Sequence, residues 1–223
     1  MTKALLTKIL PAACIVFSCV TVRTAEARAS SASSRSAASA SSQNQERRTA
    51  RQRRRAKRKL REPDVIFVPT PPETVEEMLR QAHLKKGDVL YDLGSGDGRI
   101  PIAAAKQYGV RAVGIDIDPK LVEEAKETAR REGVENLVSF RNEDMFAADV
   151  REATVVTLYL SNTLNVMLRP KLLRELRPGS LIISHDFRMG DWSPEKSIRV
   201  PWKNLYRTVH VWTVPRGGRY KKS

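Results

Sequence analysis

The segment VLYDLGSGDGRI, Val89 to Ile100, constrains this chain more than any other. An apolar, β-branched run drops into three glycines within five residues. Asp92 stands before them and Asp97 among them. So many glycines cost chain entropy, and they are expected where backbone must turn sharply or be approached closely. A strand, a glycine-rich turn and a helix in that order place the turn at the carboxyl end of a strand. In open α/β sheets this is where ligands bind.

The rest of the chain supports such a sheet. Strands are expected at residues 89–93, 112–116, 138–141, 154–160, 181–185 and 208–214. Helices fall at residues 99–107, 119–132 and 163–175, with one more beginning at Thr70 or Pro71. This alternation predicts βαβ units and a mainly parallel sheet covered on both faces. LYRTVHVWTVP near the C-terminus alternates apolar with polar residues instead, as a half-exposed antiparallel edge strand does.

The glycine turn is not a P-loop, because no Gly-Lys-Ser/Thr follows. It also departs from the dinucleotide fingerprint, since its third glycine comes one residue early and Arg99 stands behind it. A pyrophosphate would meet Asp92 and Asp97, so the acids point to a ligand with a cationic portion. Asp116 ends the next strand, where a carboxylate can accept both ribose hydroxyls. Asp118-Pro119 then reads as an N-cap followed by proline at the first helical position. Asp144, in FRNEDMF, follows the third strand. It is placed either to accept from an adenine amino group or to cap a helix.

Charge is unevenly spread. Residues 1–61 hold 15 Lys/Arg against 2 Asp/Glu, whereas the remaining 162 residues are nearly balanced. A basic partner-binding role therefore belongs to the N-terminal arm. Residues 1–27 carry Lys3 and Lys8, an apolar run and Ala25-Glu26-Ala27, the features of an export signal cleaved before Arg28. A membrane anchor that keeps the domain on the cytoplasmic side and a mitochondrial presequence are the alternatives. Residues 28–61 are expected to be a Ser/Ala-rich linker followed by a basic run. That run, Arg47 to Arg61, packs ten cations into fifteen positions. It is expected to be solvated or to contact anionic lipid or RNA non-specifically. No aromatic residue interrupts it to stack on bases. Residues 62–223 form the expected globular domain. Both cysteines, Cys14 and Cys19, precede it, and its histidines show no metal-ligand spacing. No metal is expected.

At YDLGSGDG, GIDIDP and NEDMF the chain resembles class I S-adenosylmethionine-dependent methyltransferases, with three motifs in correct order and spacing over most of the globular part. The resemblance implies a Rossmann-like, doubly wound seven-stranded sheet whose last strand is antiparallel. It implies that Asp92, Gly94 and Gly96 line the methionine end of the cofactor, that Asp116 holds the ribose and that Asp144 faces the adenine, with Tyr91, Leu93, Ser95, Asp97, Ile117 and Met145 also binding the cofactor. FVPTPPETVEEML, DLGSGDGRIPIAAAKQYG and LRPKLLRELRPGSLIISHDF are similar to a narrower subgroup. It is related to the mitochondrial protein-lysine methyltransferases that modify the ATP synthase c-subunit and the adenine nucleotide translocase. That likeness implies methyl transfer to a protein lysine, with a membrane protein among the candidate substrates. It places Val68, Pro69 and Thr70 on the substrate side.

Tyr159 and Asn162 after the fourth strand, and His185-Asp186 after the fifth, are further substrate-side candidates. Tyr159 offers an amine a π-face or a hydroxyl, or simply packs. His185-Asp186 can act as base and orienter, or merely bond within the strand-end loop. The Asp/Asn-Pro-Pro-Tyr/Phe motif of enzymes that methylate nucleic-acid amines is missing after the fourth strand. Methylation of RNA or of a small molecule, and a non-catalytic adenosyl-binding module, remain the alternatives.

Overall fold

The computed structural model describes residues 67–218. The leader, linker and basic run lie outside the described residues. The described part opens with an extended segment, residues 67–71, that leads into α1 (Pro72–Ala82). Pro72 occupies the first helical turn and Glu73 meets the positive end of the helix dipole. Val75, Met78, Leu79 and Ala82 form the buried stripe. His83, in the left-handed conformation, closes the helix.

β1 (Val89–Leu93), α2 (Arg99–Tyr108), β2 (Arg111–Asp116), α3 (Pro119–Arg131) and β3 (Val138–Asn142) follow as two βαβ steps. The chain then crosses to the other side of β1 and continues as β4 (Val155–Leu158), α4 (Asn162–Glu175) and β5 (Leu181–His185). Asp118 caps α3 by accepting from the Lys120 amide, and Ser161 caps α4 by accepting from Leu164. β6 (Lys196–Trp202) and β7 (Leu205–Thr213) end the sheet.

The sheet order is β3-β2-β1-β4-β5-β7-β6. β1 to β5 run parallel, and β7 runs antiparallel to both of its neighbours. The seven-stranded, doubly wound expectation holds, with one correction. The C-terminal antiparallel strand is not the edge: it lies between β5 and β6, and Val209 to Trp212 are buried without a break. The edge is β6, which has no counterpart among the strands expected from sequence. Its exposed side chains and Pro201 obscure the strand pattern, and an edge is where a strand tolerates proline.

Two hydrophobic clusters fill the two faces. Leu90, Ala112 and Ile183 pack under α1, α2 and α3. Tyr91, Leu93, Val113 and Ile115 pack under α4 with Trp192 and Trp212. The Trp212 indole N–H donates to the Trp192 carbonyl at 2.9 Å, which accounts for two of the three tryptophans. Because β1 alternates, Asp92 cannot share a face with Tyr91 and Leu93. This alternation decides which of its residues reach the site.

Candidate functional site

Between β1 and β4 the strand order reverses, and a cavity of about 560 Å³ opens at the carboxyl ends of the strands. Its acidic wall comes from β1, β2 and β3. Asp92, Asp97, Asp116, Asp118, Glu143 and Asp144 all line it. Ile115, Ile117, Leu121, Met145 and Leu160 supply the apolar surface.

Asp92 is buried, and its Oδ1 accepts from Thr157 Oγ1 at 2.7 Å across the β1–β4 pair. Burial pushes its carboxyl up to about 8; the nearby Asp116 and Asp97 push in the same direction, while the Thr157 bond opposes. Such a carboxyl gains from a cation placed beside it. Asp116 is held from two sides. Its Oδ2 accepts from the Gly96 amide at 2.7 Å and its Oδ1 from the Asp118 amide at 2.9 Å. Asn142 donates to the carbonyls of Asp116 and Ile117 and pins the loop below. Asp144 Oδ1 accepts from Phe146 N at 2.9 Å, so it lines the cavity and caps the turn after β3 at once.

In the glycine turn the backbone amides are engaged within the protein. Gly94 and Ser95 amides donate to Ile115 O, Gly96 N to Asp116, and Gly98 N to Ser95 O. These donors are spent inside the protein. The glycines are needed for packing. A Cβ on Gly94 would lie 2.6 Å from Leu160 Cδ2, and one on Gly96 2.2 Å from the Phe67 ring. Both residues also have positive φ, so a side chain there meets conformational strain as well as a clash. The turn therefore has no anion nest, in keeping with an acidic wall. Ser95 lines the cavity, but its Oγ is buried against Gly114 and has no hydrogen-bond partner in the protein.

The opposite wall is aromatic and uses distant parts of the chain. Tyr159 and Leu160 follow β4 by one and two residues, the strand being shorter than expected, and line the cavity. The Tyr159 ring stacks on His185 with centroids 3.8 Å apart and interplanar angle 25°, and lies 5.8 Å from Phe187. His185 is fully buried behind it. Burial pulls its pKa down to about 4. His185 Nδ1 is hydrogen-bonded with Thr70 Oγ1 at 3.3 Å. The Thr70 carbonyl in turn accepts from Arg99 Nη1 at 2.9 Å, and Arg99 forks onto both oxygens of Asp97. Residues 67–71 are thereby strapped across the glycine turn, with Phe67, Val68 and Thr70 on the cavity.

Of the residues expected at the site, the structure gathers Val68, Thr70, Asp92, Gly94, Ser95, Asp97, Asp116, Ile117, Asp144, Met145 and Tyr159 around one cavity. Others are not on its wall. Tyr91 and Leu93 face α4, and the Tyr91 hydroxyl donates to Glu152 at 2.6 Å. Gly96 lies under Phe67, and Pro69 does not line the cavity. Asn162 Oδ1 accepts from the Arg188 amide and ties down the segment after β5. Asp186 accepts from Thr208 N and from Arg207, so it is engaged with β7. Sequence reasoning misses Phe67, Arg99, Thr157 and Leu160. Their roles depend on contacts between segments far apart in the chain, and no local pattern marks them. Among the described residues no cluster of His, Cys, Asp and Glu could hold a metal ion.

Residues 92–196 match the family described as the ANTKMT methyltransferase domain. A protein-lysine N-methyltransferase of Saccharolobus islandicus is 41% identical over 153 residues, spanning 68% of this chain and 95% of that protein. The human lysine N-methyltransferase of the ATP synthase c-subunit is 34% identical over 136 residues, 61% of this chain and 58% of its own length. A crystal structure described as an RNA methyltransferase from Salinibacter ruber with S-adenosyl-L-homocysteine shares 51% identity. Its TM-score is 0.63, over 67% of this chain and 95% of that one.

Proposed function

This chain belongs to the family of S-adenosylmethionine-dependent protein-lysine N-methyltransferases, and we propose that it delivers the methyl group to a lysine amine entering along the Tyr159 wall. The observation that carries this reading is the division of the cavity into an acidic wall and an aromatic one.

The acidic wall suits the cofactor. Asp92 lies where a carboxylate can face the cationic methionine end, and its raised pKa is the signature of a site built for a positive partner. Asp116, oriented by two amides, has lone pairs left for ribose hydroxyls. Asp144, which lines the same cavity, is assigned to the adenine base. The cofactor supplies a methyl group on a positively charged sulfur, already activated for displacement by a nucleophile. The protein has then mainly to align the amine and exclude water.

Tyr159 presents one ring face to the cavity and rests on His185 with the other. A half-buried ring fixed in this way orients the lysine stem and its amine. His185, neutral at physiological pH, serves as the platform that fixes Tyr159, and Thr70 fixes His185. Neither His185 nor Asp186 lines the cavity, so we assign them positioning roles. A lysine amine attacks only when neutral, and closeness to a sulfonium charge lowers its pKa.

The test is transfer of radiolabelled methyl from the cofactor to a protein extract, followed by acid hydrolysis. Label recovered as methyllysine and insensitive to RNase supports the assignment. Label lost on RNase treatment replaces it with RNA methylation, the activity by which the Salinibacter protein is described. An export-type leader over residues 1–27, and contact of residues 47–61 with anionic lipid or RNA, also remain proposals. N-terminal sequencing of the mature chain, with Arg28 as the expected first residue, checks the former. Salt-sensitive binding that disappears when residues 47–61 lose their charge checks the latter.

A further inference from the structure

The β6–β7 hairpin outruns the sheet. β5 ends at His185, opposite Val209, but β6 and β7 continue pairing as far as Trp202 and Leu205. The overhang projects from the carboxyl end of β5, the end of the sheet at which the cavity opens. About four residues at ~3.3 Å each carry it more than 10 Å past its neighbour.

Its tip is unlike the rest of the surface. Leu205 is 63% exposed and Tyr206 57% exposed, with Pro201 exposed beside them and Trp202 half-buried. The pairing places Trp202 and Leu205 on one face and Pro201 and Tyr206 on the other, so apolar groups crown both. Cations sit around them. Arg199 lies 4.0 Å from the Tyr206 centroid, and Arg207 and Lys203 lie 4.4 and 4.8 Å from that of Trp202. From Lys196 to Arg207 the chain has four cations and no carboxylate. Arg207, nearest the body of the sheet, is paired with Asp186 at 3.0 Å.

We propose that this hairpin tip docks on an anionic bilayer surface, with Leu205 and the edges of Trp202 and Tyr206 among the headgroups and the mouth of the cavity turned towards the membrane. Tryptophan and tyrosine prefer that depth because one part of each ring is apolar and the other polar. Lysine and arginine beside them reach lipid phosphates. The uniform positive charge selects an anionic surface. The leucine favours lipid over nucleic acid, since neither a base nor a phosphate rewards an exposed aliphatic side chain. The cations already lie over the rings on which bases would stack. The inference goes beyond the reaction proposed above and does not depend on it.

The test uses the full chain with phosphatidylcholine vesicles, with and without phosphatidylserine. Trp192 and Trp212 are buried, so Trp202 reports on the tip. Anionic vesicles are expected to shift its emission to the blue, and acyl-brominated lipids to quench it. In high salt, where the contribution of residues 47–61 is screened, Leu205→Ser with Tyr206→Ser is expected to weaken partitioning about tenfold. The heat of cofactor binding shows that the variant is folded. Unchanged partitioning of the folded variant overturns the proposal. So does absence of quenching, or a loss confined to binding of a single-stranded RNA oligonucleotide.

Discussion

The two walls of the cavity are built on opposite plans. The acidic wall is local: Asp92, the glycine turn and Asp116 lie within 25 residues, on two adjacent strands. Its hydrogen bonds run between neighbouring loops, as from Gly96 to Asp116. The aromatic wall is assembled from afar. Thr70 meets His185 across 115 positions, and His185 supports Tyr159 from the neighbouring strand. One wall holds charge in place, and the other holds a ring in place. On the proposed assignment, the cofactor is read by a short stretch of chain, while the acceptor is read by contacts that depend on the whole fold.

Four measurements can break or sharpen this contrast. Asp116→Ala should cost the most. It leaves the Gly96 and Asp118 amides without their acceptor and removes the carboxylate proposed to hold the ribose. Affinity for S-adenosylhomocysteine by calorimetry is expected to fall about a hundredfold, or roughly 3 kcal/mol. An unchanged affinity would deny the acidic wall its role. Asp92→Asn should weaken cofactor binding about tenfold at pH 8 and above. The unliganded protein should respond in the opposite direction. The folded state of the wild type binds a proton more tightly than the unfolded chain does, since burial raises this carboxyl to about 8. Stability from this group is therefore complete below about pH 4 and is lost as pH rises through 8. Asp92→Asn should melt higher than wild type at pH 9 and show little gain at pH 5.

On the other wall, Tyr159→Ala is expected to lower kcat about tenfold while changing cofactor affinity much less. Tyr159→Phe should retain most of the rate if the ring face, not the hydroxyl, does the orienting. Equal losses in both variants would assign the work to the hydroxyl. The smallest effect is expected at His185. Its pKa is depressed by burial to about 4, so the unfolded state binds the extra proton between about pH 6.5 and 4. Stability should fall as pH drops through that window. His185→Gln should flatten this part of the melting curve, and a wild-type curve with no slope there would contradict the buried, neutral ring.

How much of this is legible in the sequence follows the same division. The strands β1 and β5, the cap Asp118 and the acid at the end of β2 are written in a few adjacent residues. They stand where the pattern puts them. The strap is only half legible. Val68 and Thr70 are expected at the site, but the ring of Phe67 on Gly96 is a tertiary contact with no local signature. Thr157 becomes the partner of Asp92 only through the pairing of β1 with β4. β6 escapes notice because an edge strand need not show an apolar face along its length, and Pro201 argues locally against a strand. β7 reads as the margin because its residues alternate apolar with polar in sequence, although Val209 to Trp212 are covered on both sides.

The position of β7 governs how the protein is made. β6 leaves the ribosome first, yet in the sheet it touches β7 alone. Until β7 has been synthesised and slid in against β5, the earlier strand has no strand to pair with and the flank of β5 stands open. A chain truncated at Asn204 would keep the residues of its five parallel strands but leave the flank of β5 without its partner.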